Sequence, residues 1–471
     1  ATIKMSGNGA ISHNSIIGPT AATANAYEWM YNNAGTSGNP MVARFKRYGA
    51  ATNSALTSNT TAVNTPVIYS AQRRTAATGT NGEGRINFNG TDQGGSVVDT
   101  TAYASSNYCI GCSSGVGVFN GNMGDVIVYN RDLTAQELDQ VESYNAIKYG
   151  ITLGQTPTLQ NYFDARGNIV WNATTNTGYN NNIIGLAKDS RQALNQKVSK
   201  STNAGSILTI ATDDDFISSN VDGARLTELL DTSYFMVGED TGATTFTADY
   251  NGITNTRMGR VWKVDKTVNA GSAYVAVPNT TPFPTSNRYV VVSSDTTFDA
   301  TDTLVPLVNA NGFYSAQISP SDGDYFTFVS VPVFIEFSGA NLSGAEPLNE
   351  NLPKILVNGV VGTASTVLVT DAGLGTANRP SDFSFVGGAT VPISQTVTIP
   401  VGTYDGTIAT AITIPTLAIN DDSGIEGNET VKLNLNTATG DLRIGDANSD
   451  TTTVIDTIYT ILDDETASKA E

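Results

Sequence analysis

The sequence predicts an all-β protein built as tandem β-sandwich modules with one short helix. Three observations carry this. Gly is abundant, 45 among 471 residues, and Thr and Asn are dense, which is the composition of turn-rich sandwiches and not of a helical enzyme. Hydrophobic residues make up 39% of the chain and fall in strand-length runs, which argues against disorder. Helix-start and helix-stop signals frame one segment, residues 134–150.

At about 150 residues per domain, this length holds about three domains with room for several cores. Composition and punctuation place them at 1–152, 153–330 and 331–471. Lys and Arg total 25 against 44 Asp and Glu, a net charge of −19. Nucleic acid and anionic membrane are therefore poor partners, while divalent cations are plausible ones. No stretch approaches the ~20 apolar residues of a membrane span, so no membrane insertion is expected.

The first module is organised around residues 119–153. Residues 125–129 (DVIVY) are β-branched and aromatic between Gly124 and Asn130, which predicts a strand. Thr134 and Glu137 predict a capping box, Leu133 and Leu138 a staple, and Gly150 the stop. Leu138, Val141, Tyr144 and Ile147 recur at helical spacing as the apolar face. Upstream, apolar runs at 42–45, 66–70, 85–88, 108–110 and 116–119 read as short strands. Trp29, Tyr27 and Tyr31 read as core, with an exposed sugar-stacking platform as the alternative. His13 is the sole histidine and reads as solvated, which leaves no Ser-His-Asp arrangement. No phosphate-cradling Gly loop opens a helix either.

Cys109 and Cys112 cannot build a zinc site by themselves, and a β-rich setting argues against a redox motif. In a regular strand their Cα atoms would lie roughly 10 Å apart, too far for a bridge. A disulfide requires a turn at Ile110 and Gly111, and bridge and free thiols both stay open.

Residues 153–160 form a short linker containing Pro and Thr. In the second module, strands are expected at 207–210, 234–237, 260–264, 289–292 and 325–329. Trp171 and Trp262 sit in alternating strand context and read as core. Asp213, Asp214 and Asp215 either hold a cation or form a solvated loop.

The third module opens with VFIEF, and TVTIP, TAITIP, VKLNLN and IYTIL follow at sandwich spacing. Acids gather at what should be strand ends: Glu346, Asp382, Asp421, Asp422 and Glu426, then Asp463, Asp464 and Glu465. Packed carboxylates repel unless a cation joins them, and calcium takes about six to eight hard oxygen ligands. A solvated acidic end is the alternative.

Two resemblances add to this reading. FNGNMGDVIVYNRDLT with the helix ending AIKYGITL resembles the C-terminal end of concanavalin A-like (LamG-type) jelly rolls, common in large surface proteins of gliding Bacteroidetes. Such a jelly roll normally starts well upstream of Ala1, so an excised piece of a longer protein is expected. The phrases of the second module resemble a β-sandwich that commonly follows, generally without an assigned function. NDDSGIEGNETVKLNL with the closing ILDDE is similar to the Calx-beta repeat. That resemblance implies calcium ligation by Glu346, Asp382, Asp421, Asp422, Glu426, Asp463, Asp464 and Glu465. Arg379-Pro380 departs from the family's Ala-Gly and would put a cation near Asp382. Phe383 replaces the usual Tyr, and Glu465 a common Asp.

Glu137, Asp139 and Glu142 match the E-x-D-x-x-E spacing of jelly-roll glycosidases. That chemistry needs the acids on one strand face, with the working pair ~5 Å apart, whereas on a helix Glu137 and Asp139 point about 200° apart. They are expected on the solvated face. The expectation is thus a non-enzymatic, calcium-stiffened segment of a secreted cell-surface adhesin serving adhesion or gliding. Surface glycans, other extracellular surfaces and neighbouring modules of the same chain would be its partners. A carbohydrate-binding module and a jelly-roll polysaccharide hydrolase are the alternatives.

Overall fold

The computed structural model describes residues 1–5, 13–32, 41–48, 53–61, 64–94, 98–114, 118–221, 223, 225–346, 348–385, 393–421 and 423–465. The side chains of Met5, His13, Asn14, Tyr31, Asn32, residues 41–44, Lys46 and residues 53–61 lie outside that description. Among the described residues the fold is β-strands with a single α-helix, Ala135–Tyr149, and one short 3-10 turn. The chain packs as two compact units. One comprises residues 1–245, 258–281 and 290–327, and the other 246–257, 282–289 and 328–471.

In the first unit, two five-stranded sheets face each other. One runs Gly121–Met123, Thr2–Met5, Val67–Arg73, Gly84–Phe88, Thr91–Asp92, and the other Asn53–Thr61, Met41–Arg47, Tyr27–Asn32, His13–Pro19, Tyr108–Ile110. Ile3, Ile17, Trp29, Phe45, Tyr69 and Ile86 fill the space between them. Trp29 meets Tyr69 edge-on at 4.9 Å and Tyr27 stacks on Tyr108 at 4.0 Å, so both rings serve packing. Gly111 turns the chain at φ +77, a conformation that favours glycine. Cys109 and Cys112 thereby come to a Cα separation of 5.6 Å and are bridged.

Two expectations for residues 119–153 need correction. Residues 125–129 are not a strand. Gly124 N–H donates to Thr2 O at 2.8 Å and Thr2 N–H to Asp125 O at 3.1 Å, but no ladder partner runs beside 126–129 among the described residues. The Asp125 carboxylate instead accepts from Tyr144 Oη at 2.8 Å and Lys148 Nζ at 2.6 Å. Strand propensity is realised only beside a pairing strand, and none runs along this stretch among the described residues, although Val126 packs against the core. The helix forms as expected, with the reciprocal Thr134–Glu137 capping box and a left-handed Gly150 cap. Its buried residues, however, are Glu142, Ser143, Asn145, Ala146 and Ile147. Leu138, Val141 and Tyr144 are only half-buried.

That buried stripe shares one core with Leu153, Tyr162, Trp171, Ile183 and Tyr234. Ser143 Oγ accepts from Phe163 N–H at 2.9 Å and Tyr162 Oη from Leu153 N–H at 2.8 Å. The core is therefore continuous alongside residues 153–160. Beyond it, one sheet carries Leu194–Gln196, Asn181–Asp189, Ser233–Glu239 and Trp262–Lys266 in that order. The facing sheet runs Val198–Lys200, Thr209–Ala211, Ala273–Pro278, Phe313–Ile318, Val308–Ala310. Trp171 and Trp262 are buried, as their strand context predicts.

The second unit is a sandwich. One sheet holds Gly402–Asp405, Lys354–Val361, Val333–Phe337 and Leu442–Ile444, with Ile412–Thr413 beside Lys354–Val361. The other runs Asn341–Ala345, Asp456–Leu462, Glu429–Ala438, Ser365–Asp371, Ile393–Ile399. Ser365–Asp371 alternates strictly between buried and half-buried residues, the pattern of a strand with one face on a core. That core includes Ile335, Phe337, Val357, Val369, Leu433 and Tyr459. Asn287 of the 282–289 segment donates through Nδ2 to Val360 O at 2.6 Å.

Candidate metal centre

Sheet register in this sandwich brings acids together. Asp456–Leu462 lies parallel to Asn341–Ala345, with Ala345 opposite Leu462, so Glu346 leaves the sheet where residues 463–465 do. Glu346 N–H donates to Leu462 O at 3.2 Å. On the other side Glu429 pairs antiparallel with Ile461, which places the start of Glu429–Ala438 at the same end. Asp382 arrives from a loop: its N–H donates to Asn378 O at 3.0 Å, and Asn420 N–H donates to Asp382 O at 2.9 Å.

Two carboxylate groups result. Single oxygens of Glu346, Asp464 and Glu465 lie within 4.8 Å of one another, and so do those of Asp382, Glu426 and Glu429. The groups feel each other, since Glu346 is among the charges that raise Glu429. The Glu429 carboxyl is pushed up to about 7, first by its hydrogen bond with Asp382, then by burial and the charges of Asp382, Glu426 and Glu346. Burial alone would raise Asp382, but hydrogen bonds from Glu429 and the Asn378 N–H hold it below the usual range. Glu465 is raised by its hydrogen bond with Asp463, by burial and by Asp464. Among the described residues, Glu429 Oε2 and Glu465 Oε2 are buried without a hydrogen-bond partner. Hard oxygens in such numbers, two of them orphaned, fit a calcium ion and fit a softer metal poorly.

Of the eight acids expected there, Glu346, Asp382, Glu426, Asp464 and Glu465 fall in these groups. Asp421 is exposed and belongs to neither, and Asp422 lies outside the described residues. Asp463 organises the loop instead: Oδ2 accepts from Glu426 N–H at 2.9 Å and Oδ1 from Glu465 N–H at 3.0 Å. Glu429 was absent from the expected set. Its signal was its position as the residue opening a strand whose neighbour ends in acids. The Arg379 guanidinium pairs with Asp371 at 3.3 Å and lies over the Phe383 ring at 5.8 Å.

The other acidic stretches resolve differently. Arg225, fully buried, pairs with Asp213 and donates to Ser218 O at 3.0 Å, so this loop is built around a guanidinium. Glu137 accepts both Arg131 Nη groups at 2.7 and 2.9 Å, which with Thr134 N–H hold it down at about 2. Glu142 is not on a solvated face. It is 1% exposed, accepts from Asn87 Nδ2 at 3.3 Å, and burial pushes it up to about 7. Burial likewise raises Asp139.

A family model described as a domain of unknown function, DUF8202, matches residues 137–324. No curated protein matches this chain. Among solved structures, the apo-form Calx CBD1 domain is 16% identical, with 28% of this chain and 99% of that one covered and a TM-score of 0.20. CBD12 from CALX1.2 is 18% identical at a TM-score of 0.20. The calcium binding domain CBD12 of CALX1.1 is 17% identical at 0.21. For these two, 28% of this chain and 45% of theirs are covered, so the match spans under half of their length. At such scores the site rests on its own geometry.

Proposed function

We propose that the chain is a non-enzymatic segment of a secreted bacterial cell-surface adhesin whose last sandwich is a Calx-beta-like module stiffened by calcium. The convergence of six carboxylates at one sheet end carries this reading. Glu346, Asp382, Glu426, Glu429, Asp464 and Glu465 would hold the ion, which supplies the positive charge that lets them stay ionised side by side. The Cys109–Cys112 bridge is in keeping with an oxidising, extracellular setting. The roles in adhesion or gliding, and glycans or other surfaces as partners, rest on the resemblance of the first and last modules to surface-protein repeats.

The test is thermal unfolding of the whole chain in excess calcium and in chelator. An ion at a hundredfold excess over its dissociation constant stabilises by about 2.7 kcal/mol. Asp382→Asn combined with Glu429→Gln should abolish the difference. Identical melting of the unsubstituted chain in both conditions would sink the calcium reading. Release of reducing ends from β-glucans, lost in Glu137→Gln, would overturn the non-enzymatic one.

A further inference from the structure

A cleft of about 690 Å³ opens between the helix and the strands Val67–Arg73, Gly84–Phe88 and Thr91–Asp92. Asn87, Gly90, Asp139 and Gln160 are among its walls. Packed against Asn87 and Gly90 is the Glu142 carboxyl, 1% exposed. Asn87 Nδ2 donates to its Oε1 at 3.3 Å, while Oε2 is buried without a hydrogen-bond partner among the described residues. Gly90 shows where that oxygen points. A β-carbon placed on Gly90 would sit 3.6 Å from Oε2 and 3.7 Å from Gln160 Cγ, in ordinary contact with both. The space over Gly90 therefore leads from the cleft to the orphaned oxygen.

The cleft is short of donors and of positive charge. Both cations that line it are engaged, Arg74 with Glu83 and Arg85 with Asp92, each at 3.1 Å. Asp139 lies half-buried one helical turn before Glu142, and its carboxylate has no hydrogen bond or ion pair among the described residues. The Ala1 ammonium donates to Tyr69 O at 2.8 Å, and its pull on Glu142 is weaker than the effects of burial, Ser70, Asp139 and Asn87.

We propose that this cleft binds the ammonium group of a small primary amine, which enters over Gly90 and donates to Glu142 Oε2 and to the Asp139 carboxylate. An ammonium offers three donors and no acceptor, which matches two acceptor-only carboxylates spaced i, i+3 on one helix face. It also supplies the charge that a buried carboxylate needs to stay ionised. Calcium fits less well, because two acids fall short of the about six to eight oxygens it takes. The proposal is independent of the calcium reading, whose residues lie outside the cleft.

The experiment is isothermal titration of the full chain at pH 8 with n-butylammonium, beside tetramethylammonium and n-butanol. Butylammonium is expected to bind saturably. Tetramethylammonium, a cation without a donor, and butanol, a donor without charge, should each bind about tenfold more weakly. Glu142→Gln should weaken butylammonium about tenfold, the worth of one charge-assisted hydrogen bond, without lowering the melting temperature. Asp139→Asn should weaken it about threefold, as for a half-exposed ion pair. The chain carrying Asp382→Asn and Glu429→Gln should bind it undiminished, which separates this cleft from the acidic end of the last sandwich. No saturable uptake of butylammonium by the unsubstituted chain would overturn the proposal. So would equal affinity for butylammonium and tetramethylammonium, or butylammonium affinity that Glu142→Gln leaves unchanged.

Discussion

Ser286 holds Asp441 with both of its donors: its N–H reaches Oδ1 at 2.5 Å and its hydroxyl reaches Oδ2 at 2.6 Å, across 155 residues of sequence. Asp441 is 1% exposed, and Oδ2 also accepts the N–H groups of Gly362 at 3.0 Å and Thr363 at 3.1 Å. Four donors thus converge on one buried carboxylate, with no cation among its partners in the described residues. Asp441→Ala strands those donors and should cost at least about 3 kcal/mol in urea unfolding. A fragment starting at residue 282 should melt above one starting at 331, because the latter lacks Ser286. Equal melting temperatures would show that this bond contributes nothing.

Calcium affinity should depend on pH. The Glu429 carboxyl, raised to about 7 by its acidic neighbours, must release its proton before it can ligate an ion. A folded-state value above the ordinary 4.5 means that the metal-free protein loses stability as pH rises from about 4.5 through 7. Calcium should reverse this trend, binding more tightly at pH 8 than at pH 6. Glu429→Gln should raise the metal-free melting temperature at pH 8 while weakening calcium binding. Calcium affinity unchanged from pH 6 to pH 8 would contradict the assignment of Glu429.

Glu142 makes a parallel case without a metal. Its carboxyl is buried and raised to about 7, so stability is lost as pH rises from about 4.5 through that value. Glu142→Gln should therefore stabilise the protein at pH 8, by up to about 3 kcal/mol, and change little at pH 5. Chemical unfolding at the two pH values checks this, and equal effects at both would refute it.

Arg225 should be among the costliest single positions to remove. Arg225→Met leaves Asp213 and the carbonyls of Asp215 and Ser218 without the guanidinium they surround. The expected loss is about 3 kcal/mol, read by thermal unfolding. A loss below about 1 kcal/mol would mean that water replaces the guanidinium readily.

Strands of the last sandwich were the most legible part of the sequence. VFIEF and IYTIL fall within Val333–Phe337 and Asp456–Leu462, because alternating apolar residues between turn signals leave few other options. DVIVY shows the limit of that logic, since its residues have strand chemistry but no neighbouring strand to realise it. Helix periodicity located Ala135–Tyr149 through its caps yet misplaced its buried side. The pattern weighs apolar residues only, and here Glu142, Ser143 and Asn145 are buried through hydrogen bonds to other segments. At the acidic end, composition pointed to the region. Only register could add Glu429 and set Asp421 aside, because register is a relation between strands distant in sequence.

The placement of Asp456–Leu462, with a parallel neighbour on one side and an antiparallel one on the other, has a mechanical consequence. A pull along this strand cannot peel its hydrogen bonds open one at a time. It loads both ladders in shear, so many bonds must fail together. Ions held by Glu346, Asp464 and Glu465 and by Asp382, Glu426 and Glu429 would together fasten all three strands at the end where such a load arrives. The acidic end would then act as a clasp that sets the rupture force of the module.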